Sequence, residues 1–262
     1  ANKQLIAESG PELLALAARQ RRQLRFEGAV AGGVPVIRAV QDGLAGDRLV
    51  RITGVLNGTC NYILTRIEAA GLPFAAALAE AQALGYAEAD PSADVEGFDA
   101  RAKLAILCAI GLGVWVNPRD IPCASIAGLG PDDFRDARVA GCTIRQVSRA
   151  ERSVGADAGI RASVGPAAVP LDSPVARVQG CENIIVVTGE LGGETTFSGQ
   201  GAGGDPTAVA VVSDLLAIAA GHTASPSLLA SPGSVESRLL PVGHVARPHD
   251  DPSTRKGTQH HA

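Results

Sequence analysis

Over residues 84–103 the chain reads LGYAEADPSADVEGFDARAK, with Glu88, Asp90, Asp94, Glu96 and Asp99 crowded ahead of a single lysine, Lys103. Asp99 and Lys103 stand four apart, the spacing that puts two side chains on one helix face within pairing distance. The residues after Lys103 run LAILCAI, so this helix is expected to be buried and to carry its lysine into the core. A lysine withdrawn from water needs a carboxylate partner or a lowered pKa, and either makes it a candidate proton carrier. Without that apolar run, the same spacing would read as a surface salt bridge. Lysine is also scarce, with only Lys3, Lys103 and Lys256 against twenty arginines. Arginine cannot release a proton near neutral pH, whereas lysine can.

Composition removes several alternatives. All five histidines (residues 222, 244, 249, 260 and 261) fall in the last 41 residues. A Ser-His or Cys-His mechanism and a histidine metal cage are therefore not available to the body of the chain. Five scattered cysteines, with no C-x-x-C, fit reduced thiols of the cytoplasm better than a disulfide frame or a zinc site. A net charge of −4 with no basic block argues against nucleic acid and anionic membranes. Runs such as LAILCAIGLGVWV are too short to span a bilayer. The chain has no methionine and opens on Ala1 in mid-pattern, so it is expected to be a fragment of a longer protein.

The helices and strands around the acids follow from pattern. A helix is expected over residues 11–20, closed by arginines that suit the helix dipole. LRFEGAVAGGVPVI then begins as a strand and breaks into a glycine-rich turn. Glu27 beside backbone carbonyls there makes a ligand set for a hard monovalent cation, but the residues alone favour a plain turn with an exposed Glu. Residues 48–57 alternate as a strand. Asn57, Thr59 and Asn61 gather polar groups at its carboxyl end, where ligands collect in open α/β sheets, though helix capping explains them as well. Helices follow over residues 60–70, closed by Gly71, and after Pro73, with Gly85 as the stop. Ser92 or Asp94 is expected to cap the helix that carries Lys103. Beyond Pro118 and Pro122, strands are expected at residues 142–147 and in IRASVGP, PVARVQG and NIIVVTGE, largely antiparallel. FSGQGAGGDPTAVAVVSDLL holds a GxGxxG and an Asp-Pro helix cap. No strand ending in an acid follows it, so it is not a dinucleotide-fold fingerprint.

The run GYAEADPSADVEGFDARAK, with GVLNGTCNYIL before it and SGQGAGGDPTAVAVVSDL after it, resembles the catalytic region of homoserine dehydrogenases. ANK at residues 1–3 and FEGAVAGGVPVI fit the same family in the same order, and the likeness reaches to about residue 221. The resemblance implies reduction of L-aspartate 4-semialdehyde to L-homoserine with NADPH or NADH, in threonine, methionine and isoleucine biosynthesis. It implies that Lys103 donates the proton to the carbonyl oxygen and that Lys3 assists beside the nicotinamide. Glu88, Asp94 and Asp99, with Thr59, are implied to hold the substrate's ammonium end and orient the lysine. Gly85 and Gly201 are implied to contact the cofactor through their backbones. Glu27 and the carbonyls of Val30, Gly32 and Val34 are implied to hold a structural sodium ion. A homodimer or homotetramer is implied, joined through residues 34–40 and the later strands.

The expected architecture is α/β, a mixed sheet with helices on one face plus the remnant of a Rossmann domain. Residues 1–38 would be that remnant with a dimerisation segment, residues 39–221 the catalytic domain, and residues 222–262 a tail of no expected order. The family's upstream dinucleotide-binding domain is missing from this sequence, so little dehydrogenase activity is expected of the chain by itself. An inactive remnant that still folds and pairs, and a small-amine or cation-binding module, remain open as alternatives.

Overall fold

The computed structural model describes residues 2–153 and 158–222. Lys256 and four of the five histidines therefore lie outside the described residues, as does the expected tail beyond His222. Five strands form one sheet: β1 (Leu49–Val55), β2 (Cys142–Ser153), β3 (Gly159–Pro170), β4 (Glu182–Gly189) and β5 (Gly193–Gln200), in the order β3-β2-β1-β4-β5. Every ladder is antiparallel, and an isolated bridge between Cys123 and Val164 is parallel.

Nine helices accompany the sheet among the described residues: α1 (Lys3–Arg19), α2 (Val36–Arg38), α3 (Gly58–Ala70), α4 (Phe74–Ala83), α5 (Ser92–Val95), α6 (Phe98–Leu112), α7 (Pro131–Val139), α8 (Pro174–Arg177) and α9 (Gly204–Ala219). The fold is α/β, as expected. Successive side chains of a strand face opposite ways, and β4 shows the result. Ile185 and Val187 join α6 in the main core, while Ile184 and Val186 pack with Val55, Val147 and Val175 on the other face. Among the described residues, that second face carries only the single turn α8 for a helical cover.

Helix α6 is the central strut. Ala100, Ala102 and residues 104–109 are all buried, and each fully buried leucine or isoleucine contributes about 1.5–3 kcal/mol. It starts after Gly97 (φ 82) and stops at Gly113 (φ 64), both in left-handed geometry that glycine adopts at little cost. The expected Ser92 or Asp94 cap is thus corrected. Ser92 opens the separate turn α5, whose amide is held by the Asp90 carboxylate at 3.0 Å, and no side chain caps α6.

Three further expectations change. Helix α1 starts at Lys3 and not near Pro11, because Asn2 caps it by accepting from the Leu5 amide, and it kinks at Ser9 (φ −125) without ending there. Residues 24–26 form no strand; they lead into a short turn at Glu27–Ala29. PVARVQG begins as a helical turn, since the Ser173 side chain caps it by accepting from the Ala176 amide and Pro174 occupies the first turn. Strand β5, with Phe197 as its sole large apolar residue, was not anticipated.

Candidate functional site: two lysines on one carboxylate

Four separate pieces of chain meet where β1 ends. Leu56 and Asn57 carry the backbone off the sheet into α3, and Asn57 caps that helix by accepting from the Cys60 amide at 2.8 Å. The free end of the same side chain, Nδ2, donates to Asp94 Oδ1 at 2.6 Å and to Asp99 Oδ2 at 2.8 Å. Asp99 sits in the first turn of α6, where the helix dipole favours an anion. One turn on, Lys103 Nζ pairs with Asp99 Oδ2 at 2.8 Å and donates to the Leu56 carbonyl at 2.8 Å. Lys3 reaches in from the start of α1 and pairs with Asp99 Oδ1. A lysine in the first turn of a helix lies at the wrong end of the dipole, so it is the tertiary pair that holds Lys3 there.

The electrostatics separate the two acids. Burial alone would raise the Asp99 carboxyl, but Lys103 and Lys3 outweigh it and bring the group down to about 2. Asp94 moves the other way. Burial is the largest cause and Asp99's charge adds to it, against the pull of Asn57 and the two lysines. Lys103 is 8% exposed. An ammonium has three donors, and the two contacts to Asp99 and Leu56 leave one N–H for an incoming acceptor. A carbonyl oxygen placed there would meet a proton donor already held by a charged partner.

The structure therefore brings Lys3, Lys103, Asp94 and Asp99 together. Thr59 lies on the first turn of α3, where its hydroxyl donates to the Tyr86 carbonyl at 2.7 Å and ties down the loop that carries Glu88. Glu88 itself is exposed on that loop, and the ion pairs of both lysines go to Asp99 instead. Gly85 adopts φ 77 with open space where a side chain would stand, room for a ligand to approach its backbone. Gly201 is packed instead. A Cβ there would collide with Asn183 Oδ1, a buried oxygen without a hydrogen-bond partner among the described residues. Asn57 was visible in the sequence only as a polar strand-end residue. Its two carboxylate contacts are what that reading missed.

A second cluster forms around Glu27, which is 4% exposed and not an exposed turn residue. Its carboxylate accepts from the amides of Ile37 at 2.8 Å and Arg38 at 3.0 Å, and its own amide donates to Asp214 at 2.9 Å. Burial raises this carboxyl, and Asp214 adds to the effect against the two amides. Ala31 and Gly32 turn left-handed (φ 53 and 45) between Val30 and Val34. A buried carboxylate beside a second acid and a carbonyl-rich turn is a donor set that fits a hard monovalent cation. Among the described residues no group of three or more His, Cys, Asp and Glu side chains gathers around a point.

Comparison with known proteins places this fold beside dehydrogenases. The family model described as homoserine dehydrogenase matches residues 35–216. The chain is 47% identical over 247 residues to the homoserine dehydrogenase of Mycobacterium tuberculosis, covering 92% of this chain and 55% of that protein. With the Bacillus subtilis homoserine dehydrogenase it shares 41% identity, covering 83% of this chain and 50% of the relative. Among solved structures, a homoserine dehydrogenase from Thiobacillus denitrificans superposes with a TM-score of 0.81 at 41% identity, covering 86% of this chain and 52% of that one. A hyperthermophilic archaeal homoserine dehydrogenase in complex with NADPH superposes at 0.72 with 28% identity, covering 84% of this chain and 63% of that one. The chain belongs to the homoserine dehydrogenase family. It spans about half the length of the curated relatives it matches.

Proposed function

We propose that this chain is the substrate-binding part of an NAD(P)-dependent homoserine dehydrogenase, which reduces L-aspartate 4-semialdehyde to L-homoserine in threonine, methionine and isoleucine biosynthesis. The observation that carries the reading is the uncommitted N–H of Lys103, a buried ammonium fixed by Asp99 and the Leu56 carbonyl. In this reading Lys103 gives its proton to the aldehyde oxygen as the oxygen gains charge, and recovers it in the reverse direction. Asp99 orients the lysine, Lys3 balances Asp99 from the far side, and Asp94 with Glu88 accepts the substrate's ammonium group. Thr59 supports the same pocket by fixing the loop at Tyr86.

NADPH or NADH, when bound, supplies the hydride. Lys3, Gly85 and Gly201 are the residues here that would contact it, and the open backbone of Gly85 supports that role. All ladders among the described residues are antiparallel, whereas a dinucleotide-binding unit is built on parallel strands. The cofactor's grip is therefore assigned to a region outside them, and the 262 residues alone are expected to turn over little. A sodium ion held by Glu27 and the carbonyls of Val30, Gly32 and Val34 would offset the paired acids Glu27 and Asp214.

The remaining assignments follow the same reading. Residues 1–38 are the end of the dinucleotide-binding part with a dimerisation segment, and residues 39–221 the catalytic domain. A homodimer or homotetramer forms through residues 34–40 and the later strands. Five free cysteines support a cytoplasmic setting, and no helix among the described residues is long and apolar enough to cross a membrane. The test is to follow the Lys103 and Asp99 resonances of the chain while adding L-homoserine. Saturable shifts at both, lost in Asp94→Asn, are expected; shifts confined to the surface would rule the assignment out.

A further inference from the structure

Asn57 does more than a helix cap requires. Capping α3 uses only its Oδ1, which accepts from the Cys60 amide at 2.8 Å. Serine or aspartate would cap as well. Only asparagine, among these, adds a second group that donates, and Nδ2 donates to Asp94 at 2.6 Å and Asp99 at 2.8 Å. The residue is 4% exposed, so neither carboxylate can replace this donor with bulk water at no cost.

We propose that Asn57 is a positioning residue of the substrate site: its amide bridges Asp94 to Asp99 and keeps Asp94 ionised to receive the substrate's ammonium group. The role rests on the proposed function. Asp94 needs such help more than Asp99 does. Lys103 and Lys3 both pair directly with Asp99. Against Asp94 stand the charge of Asp99 on α6 and the burial of its own site, with both lysines acting from further off. From α3, the Cys60 thiol donates to the Asp94 backbone carbonyl at 3.1 Å, and from β2 the Gln146 amide does so at 3.2 Å. Those bonds fix the backbone and leave the carboxylate to Asn57. An aspartate at position 57 would cap α3 but set a third acid against the other two.

The experiment compares the labelled chain with Asn57→Ser, which keeps a good cap and removes the Nδ2 group that reaches both carboxylates. Carboxyl carbon shifts of Asp94 are followed against pH, and L-homoserine binding is measured in parallel. In the unaltered chain the Asn57 side-chain amide resonances are expected to move with the Asp94 titration. In Asn57→Ser the Asp94 midpoint rises, and homoserine affinity falls about tenfold near neutral pH, recovering as pH is raised. An unchanged Asp94 midpoint in the variant overturns the proposal. So does an Asn57 amide blind to Asp94 ionisation in the unaltered chain, a result that does not depend on the variant folding. If the titration behaves as expected but the unaltered chain binds no homoserine, the substrate assignment fails and the bridging role stands.

Discussion

Around Asp99 the charged side chains are paired and packed, with Asp99 7% and Lys103 8% exposed. Along α9, by contrast, Val209, Val212, Leu215 and Leu216 stand 63, 52, 59 and 66% exposed. The difference follows from what each kind of group costs when left unmatched. A buried ion without its partner loses several kcal/mol, so the lysine–aspartate set must form complete within whatever piece of chain folds. Exposed apolar side chains are tolerated, and a strip of them marks a surface that something else covers. The lysine–aspartate set is thus completed by this chain's own residues, while α9 keeps an apolar strip uncovered among the described residues.

The largest expected effect comes from breaking the paired region. Asp99→Asn leaves Lys103 buried without its countercharge and is expected to lower stability by about 3–5 kcal/mol, read from urea unfolding. The pH dependence carries the same signature. Asp99 is held down at about 2, so its stabilisation is present above the unfolded carboxylate value near ~3.9 and is lost as pH falls from there toward 2. Asp94 and Glu27 are raised by burial, so each costs stability when ionised and returns it as pH drops through its folded value. Urea midpoints against pH are expected to rise slightly on mild acidification and then fall steeply, and the steep limb should flatten in Asp99→Asn.

A smaller effect is expected at Gly201, which leads into α9. A methyl there would collide with Asn183 Oδ1, and overpacking of this kind costs about 1–3 kcal/mol. Thermal unfolding of Gly201→Ala measures it. The smallest effect is on α9 itself. Leu215→Ser with Leu216→Ser is expected to change the unfolding free energy by no more than about 0.5 kcal/mol per site, because both side chains are already in water. A large loss would mean that α9 is packed in solution and would dissolve the contrast.

Much of this was legible in the sequence, for reasons that differ by element. The Asp99–Lys103 pair could be seen because a four-residue spacing on an apolar helix admits few geometries. β1, β4 and α6 announced themselves by alternation or by unbroken apolar runs. Strand β5 did not, since GETTFSGQ is a largely exposed edge whose pairing with β4 supplies what its side chains do not. PVARVQG alternates like a strand, yet Ser173 and Pro174 decide for a helical turn. Lys3 came only from the family resemblance, because no local pattern joins residues 96 apart. Asn57 was hidden by having a sufficient local explanation in its cap.

The most direct measurement joins to Ala1 the upstream region of a relative such as the Bacillus subtilis enzyme and assays NADPH oxidation with L-aspartate 4-semialdehyde. Turnover is expected in the joined protein, little in the 262 residues alone, and a loss of at least about 100-fold in Lys103→Met. A joined protein that folds and binds NADPH yet turns over no substrate, or one in which Lys103→Met retains full activity, would contradict the proposed function.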